Sequence, residues 1–261
     1  MTQLPIVQVD AFASSPFTGN PAAVMPLDAW LPDDVMQAIA AENNLAETAF
    51  TIPAVDDPDA DYELRWFTPA VEVKLCGHAT LASGHVLIAG DVVRFRTRSA
   101  GILEVRRDGE GYALSLPAWA PSLKPLPALV EAMGGDVLET LWRDGGYAVF
   151  LYRDEAAIRA LAPDFSALKA HGDLLLIATA PGNDTDIVSR VFAPGAGIDE
   201  DPVTGSAHSI IAPWWAERLG KTRFSAFQAS SRGGHLGCVL DGDRVILTGQ
   251  CRTVIEGMFT L

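Results

Sequence analysis

Leu75-Cys76-Gly77-His78-Ala79 and Val203-Thr204-Gly205-Ser206-Ala207 are the two stretches on which the reading of this chain turns. In each, glycine permits a sharp turn at which a helix starts, and the first-turn N–H groups, lacking helical partners, point outward. Residues 77–89 then read as a helix of small side chains, broken before Gly90-Asp91, and residues 206–219 as a stronger helix closed by Gly220. Pro213 within the second helix cannot donate to Ser209, so a bend is expected there. Strands surround both helices. Before the first lie 6–11, 49–52 and the alternating run 62–67, expected to be half exposed, with a helix at 32–43 between them. After it come 92–97, 102–106 and 112–116 as a meander. The run 174–178 suits a buried strand, and short strands near 245–248 and 251–259 finish the chain. Identity between the halves is too slight to establish a repeat, but the matched positions suggest two similar half-molecules facing each other across a cleft. Residues 117–127, with four prolines and no apolar period, read as the linker.

At 261 residues with 49% hydrophobic types, the chain can bury a substantial core. Its net charge of -14 argues against phosphate backbones and anionic lipid as partners, since the overall field repels both. The densest basic group, Arg94, Arg96 and Arg98, alternates as on the exposed face of a strand. No apolar run approaches the roughly 18 residues of a spanning helix, and the N-terminus lacks the basic start and apolar core of a secretion signal. Three cysteines without paired spacing fit a cytoplasmic protein with reduced thiols.

Four positions carry candidate chemistry. Two glycine-led helix starts, at Gly77 and Gly205, would receive a carboxylate without needing Arg or Lys; they equally make two ordinary caps, Ser206 being a plain N-cap. Glu47 sits in a mostly apolar stretch, where burial would raise its pKa from roughly 4.3 and suit it to taking and returning a proton; a solvated glutamate at a strand start is the ordinary alternative. His78 could relay a proton or simply be a satisfied polar residue. Asp201, held extended by Pro202, could orient His78 or a substrate amine, or belong to a solvated acidic loop. His208 is a secondary candidate, and His85 is expected to pack. Cys76-Gly77-His78 is too tight for paired metal ligation, and no second His or Cys pair accompanies it. Dinucleotide, phosphate-loop and Gly-x-Ser-x-Gly motifs are absent.

Taken in order, residues 9–12, 16–24, 44–48, 65–69, 76–80 and 200–207 resemble the phenazine-biosynthesis PhzF-like isomerase family over nearly the whole chain. The resemblance implies an α+β, diaminopimelate-epimerase-like fold with two pseudo-symmetric domains, each a β-barrel-like sheet around a central helix. The expected domains are 1–117, with the strand at about 250–261 returning to it, and 118–249, with the active site between them. It further implies a cofactor-free and metal-free proton shift, and a homodimer. In the family's namesake the reaction isomerises trans-2,3-dihydro-3-hydroxyanthranilate. Carried over by position, Glu47 is the general acid/base, His78, Asp201 and Ser206 assist it, and the backbone at Gly77 and Gly205 clamps a carboxylate. His208 and the turn 230–234 are expected to line the pocket, with Arg232 a second anion contact. Related racemases place a cysteine before each glycine; here Cys76 fills the first place and Thr204 the second, and a hydroxyl is far too weak an acid to replace a thiol. The expected function is therefore an isomerase acting on a small carboxylate-bearing molecule. The rivals are an amino-acid racemase using Cys76 and a non-catalytic small-molecule-binding protein.

Overall fold

The structure, a computed structural model, describes residues 1–261. The chain divides into two compact units: residues 1–116 with 248–261, and residues 117–247. The first contains β1 (Gln3–Ala11), β2 (Asn20–Pro26), α1 (Asp33–Asn43), β3 (Glu47–Pro53), β4 (Tyr62–Phe67), β5 (Glu72–Val73), α2 (Gly77–Leu87), β6 (Val92–Thr97), β7 (Ile102–Asp108) and β8 (Gly111–Pro117). The second contains β9 (Ser122–Leu123), α3 (Pro127–Met133), β10 (Glu139–Arg143), β11 (Tyr147–Leu151), α4 (Glu155–Arg159) and α5 (Phe165–Lys169). It continues with β12 (Leu175–Pro181), β13 (Ile187–Ala193), β14 (Ile198–Asp201), α6 (Gly205–Leu219), β15 (Arg223–Gln228), β16 (Gly234–Asp241) and β17 (Arg244–Gly249), before β18 (Cys251–Thr260) returns to the first unit. No helix is long and apolar enough to cross a membrane.

The two sheets are laid out alike. In the first unit the neighbours β18–β1, β1–β2, β3–β4 and β6–β7 are antiparallel, while β2–β3 and β4–β6 are parallel, with β5 added to β4. In the second, β9–β10, β10–β11, β12–β13 and β15–β16 are antiparallel, while β11–β12 and β13–β15 are parallel, with β14 added to β13. Each parallel pair needs a crossover, which is where the helices fall. The likeness reaches single residues. Both β3 and β12 have seven residues and end on proline, Pro53 and Pro181. Their fourth residues pair with Arg65 and Arg190. Arg65 donates from Nε and Nη2 to Glu72 at 2.8 Å each, and Arg190 to Glu200 at 2.7 and 2.9 Å. Each guanidinium lies 5.0 Å over a phenylalanine two residues on, Phe67 and Phe192. The repeat is thus written in a buried arginine clamp rather than in overall identity.

Both central helices are apolar around their circumference rather than amphipathic, which is the pattern of a helix enclosed by other elements. Residues 77–84 of α2 are all buried, as are most of α6. Gly84 lets α2 approach β7: a Cβ there would lie 2.4 Å from Val105 Cγ1. Helix α1 packs Met36, Ile39 and Ala40 on Met25, Phe50 and Phe67. Asn44 ends it in the left-handed region at φ 48, a role asparagine tolerates.

Several expectations need correction. The β4 strand is mostly buried, because α1 covers its second face and Asp33 and Glu72 satisfy Arg65. By contrast, Arg94, Arg96 and Arg98 are exposed as expected, and they bond to Glu104, Asp57 and Glu72. Helix α6 runs on through Pro213, and the Ser209 carbonyl left free there accepts instead from the Trp119 N–H at 3.3 Å. The proline-rich stretch is not wholly irregular, since it contains β9 paired to β10. The second half carries three short helices besides α6. The sheets are mixed and open rather than closed barrels.

Candidate active site

In the first unit, β3 begins at Glu47, opposite Ala22 of β2. Asn43 Nδ2 donates to the neighbouring Thr48 hydroxyl at 3.0 Å, which ties the end of α1 to the start of the strand. Cys76 is the N-cap of α2, and His78 lies in its first turn. These two elements bring the Glu47 Oε2 and His78 Nε2 atoms to 3.0 Å, with only 12% and 4% of their side chains exposed. On its other edge the imidazole meets Asn20 Nδ2, which donates to Nδ1 at 3.1 Å, and the Cys76 thiol at 3.5 Å. An amide can present either NH2 or oxygen to a ring nitrogen, so Asn20 can accompany both charge states of His78.

Burial opposes a charged imidazole, but Cys76 and Glu47 beside it outweigh burial and hold His78 well above its usual pKa. The thiol is itself pushed up to about 11 by burial and by the Glu47 charge. Cys76 is therefore a neutral thiol near pH 7. The group is a carboxyl and an imidazole in contact, largely shielded from water, beside the outward N–H groups of a helix start.

The second unit builds a different arrangement on the same turn. Thr204 is the N-cap of α6; its hydroxyl donates to the Asp201 carboxylate, and its N–H donates to Gln228 Oε1 at 2.8 Å. Gln228 Nε2 donates to the Asp201 carbonyl at 2.7 Å and reaches the Thr204 hydroxyl at 3.1 Å. His208 is fully buried, with Nδ1 on the Thr204 carbonyl at 2.8 Å and Nε2 at 3.3 Å from the Ser189 hydroxyl. Burial takes it down to about 4 despite the Thr204 bond, so it is neutral. His208 therefore does not line a solvent-accessible pocket as expected: both ring nitrogens are taken, and it packs the helix onto β13. Ser206 is half-buried in the first turn, and its carbonyl accepts from Ser209. Arg232 is half-buried in the turn joining β15 and β16, where the Ser230 hydroxyl donates to Pro202 and accepts from Gly233. His85 packs as expected, in contact with Tyr112 Oη at 2.9 Å and Thr253 Oγ1 at 2.8 Å.

Comparisons with known proteins show the family and the fold. The sequence profile described as phenazine biosynthesis-like protein matches residues 9–257. An uncharacterized isomerase of Pseudomonas aeruginosa is 52% identical over 265 residues, covering 99% of this chain and 100% of that one. The chain belongs to the phenazine biosynthesis-like family. A crystal structure of a PhzF-family phenazine biosynthesis protein from Enterococcus faecalis superposes with a TM-score of 0.91 at 44% identity, covering all of both chains. A hydroxyproline epimerase from Agrobacterium vitis shares the fold alone, with a TM-score of 0.61 at 13% identity over 98% of this chain and 92% of that one. The PhzF-like chain is thus an α+β protein of the epimerase-like fold, and an enzyme of the isomerase class to which its named relatives are assigned.

Sequence reasoning missed Asn20 and Gln228. Asn20 belongs to the segment 16–24 that carried the resemblance, but its side chain had no stated role. Gln228 lies at the end of β15, a stretch to which no role was assigned. The signal that could have found it is a buried amide in an otherwise apolar strand, since such a group needs polar partners.

Proposed function

We propose that this isomerase moves a proton on a small carboxylate-bearing substrate, with Glu47 as the general acid/base and no cofactor in the transfer. The observation that supports this most is the 3.0 Å approach of Glu47 to His78 in a largely buried setting. The carboxylate takes a proton from a substrate carbon, becomes the neutral acid, and returns the proton to another position of the conjugated system. His78 supplies a positive charge beside the carboxylate whenever Glu47 is ionised, and so positions it. The Glu47 side chain keeps 12% of its surface exposed, so the proton it carries exchanges with solvent before it is returned. A substrate carboxylate is received by the backbone N–H groups at Gly77, and Gly205 offers a second helix start of the same kind. Asp201 and Ser206 assist through their own unit, and Arg232 is a further anion contact. The three free, buried cysteines fit a reducing cytoplasm.

Replacement of Glu47 by Gln keeps the side chain's shape but removes the titrating proton. With small cyclic and amino carboxylic acids screened in heavy water, the unaltered enzyme should incorporate deuterium into its substrate, and Glu47→Gln should lose about 10²-fold or more of that rate while still binding it. Undiminished incorporation by Glu47→Gln would reject the role. Cys76→Ser should lose little, since a thiol at about 11 is a poor base near neutrality.

A further inference from the structure

We propose that Glu47, Cys76 and His78 also form a site for a borderline-soft divalent cation such as Zn2+, and that its occupation blocks proton transfer. One donor atom from each residue lies within 4.8 Å of the other two. Carboxylate, imidazole and thiol are the donor set that Zn2+ takes, and with bonds of about 2.0–2.3 Å a tetrahedral ion sets its donors roughly 3.3–3.6 Å apart. Cys76 Sγ to His78 Nδ1 is 3.5 Å, and His78 Nε2 to Glu47 Oε2 is 3.0 Å. The second pair is close yet not aligned as a hydrogen bond: both atoms are buried without a bonded partner of that geometry. Two buried polar atoms 3.0 Å apart with no aligned hydrogen bond between them leave a place where a cation can substitute for a proton.

The two short contacts fall on different ring nitrogens, so only one of them can ligate. Nε2 is favoured, because Asn20 already occupies Nδ1, and its amide oxygen can accept Nδ1–H and fix the ring, as outer partners of metal-bound histidines do. Side-chain rotation of about 1 Å then brings Cys76 in. The thiol gives its proton to solvent as the metal–sulfur bond forms, and a charged His78 likewise gives up its Nε2 proton as the metal–nitrogen bond forms, with no change of oxidation state; three protein donors leave a fourth position for water. The short Cys76-x-His78 spacing, expected to forbid ligation, is completed by a third donor 29 residues upstream of Cys76. Inhibition rests on the proposed role of Glu47; binding of the ion does not.

The test uses the full chain, stripped with a chelator, and titrated with Zn2+ against a chromophoric chelator and with Co2+ as a visible-spectrum reporter. One equivalent should bind, with a thiolate-to-cobalt charge-transfer band. Cys76→Ala should abolish the band and weaken Zn2+ by more than about tenfold, and Asn20→Ala by about tenfold. Should Cys76→Ala fail to fold, Cys76→Ser serves in its place. Sub-stoichiometric binding, or equal Zn2+ affinity in the Cys76 variant and the unaltered chain, overturns the site. Tight binding with undiminished deuterium exchange leaves the site standing and removes Glu47 from the chemistry.

Discussion

His208 offers the sharpest thermodynamic test of how the second unit is built. Its ring is enclosed between the start of α6 and β13, and burial takes its pKa down to about 4 in the folded protein. In the unfolded chain a histidine titrates near 6.5. Between these values the unfolded state holds a proton that the folded state refuses, so stability is full above about pH 6.5 and is lost as pH falls toward 4. Integrated from pH 7 to pH 5, the loss is about 2 kcal/mol, a large fraction of a typical domain's stability. The assay is urea unfolding at a series of pH values for the unaltered chain and for His208→Gln, whose amide can still bond to the Thr204 carbonyl. The variant should be less stable at pH 7, yet its profile between pH 7 and 5 should be flatter by that amount. His78 contributes with the opposite sign: its raised pKa gives stability that is full below about 6.5 and lost as pH rises through the higher folded value. That contribution is common to both proteins and cancels in the difference. Parallel profiles would refute the reasoning, because they would mean that His208 takes up its proton without leaving the folded state.

Gly84→Ala should destabilise the first unit by about 1–3 kcal/mol although alanine is the better helix former, since the added carbon would lie 2.4 and 2.7 Å from Val105 Cγ1 and Cβ. A lowered urea midpoint with an unchanged slope would show this, and a gain in stability would contradict the close approach of α2 to β7. Arg65→Met should cost about 3 kcal/mol by stranding Glu72 beside an apolar side chain, towards the low end for a broken buried pair because Glu72 is partly exposed. Arg190→Met should cost less, its guanidinium being more exposed than that of Arg65, and equal losses measured by urea unfolding would argue against burial as the cause.

What could be read from the sequence follows the length scale of each signal. Strand β6 alternates buried and exposed residues along Val92–Thr97, so its period of two is visible locally. The glycine turns at 77 and 205 carry their own backbone logic, and both helices start there. Helices α4 and α5 escaped notice because five residues are too few to show a period; their only signs are Asp154 and Asp164, whose carboxylates cap the N–H groups of Ala157 and Ala167. The contact of Glu47 with His78 is invisible to spacing, since it depends on the parallel register of β2 and β3 and on the position of α2 beside them. The position of His208 in a first helical turn, beside a glycine-led helix start, suggests a pocket residue. Here the stretch from Ala207 to Ala212 is buried throughout, and the tertiary setting decides. The repeat was obscured for a related reason: its markers, an arginine, a phenylalanine two residues on and a glutamate beyond, are spread over eight positions in one half and eleven in the other.

That repeat also bears on the proposed chemistry. Aligned on their terminal prolines, β3 and β12 start on Glu47 and Leu175, so the second unit has no carboxyl where the first has Glu47. Aligned on their glycines, Cys76 corresponds to Thr204 and His78 to Ser206. The first helix start thus has a thiol, an imidazole and a carboxylate in contact, all of which exchange protons. The second has a hydroxyl held by Asp201 and Gln228, backed by a neutral histidine. A two-base inversion needs a second group able to give up a proton near neutral pH, and a threonine hydroxyl that is already donating to a carboxylate is a poor one. One acid/base group can still remove a proton and return it elsewhere on the same molecule, and the proposed role of Glu47 asks for no second one.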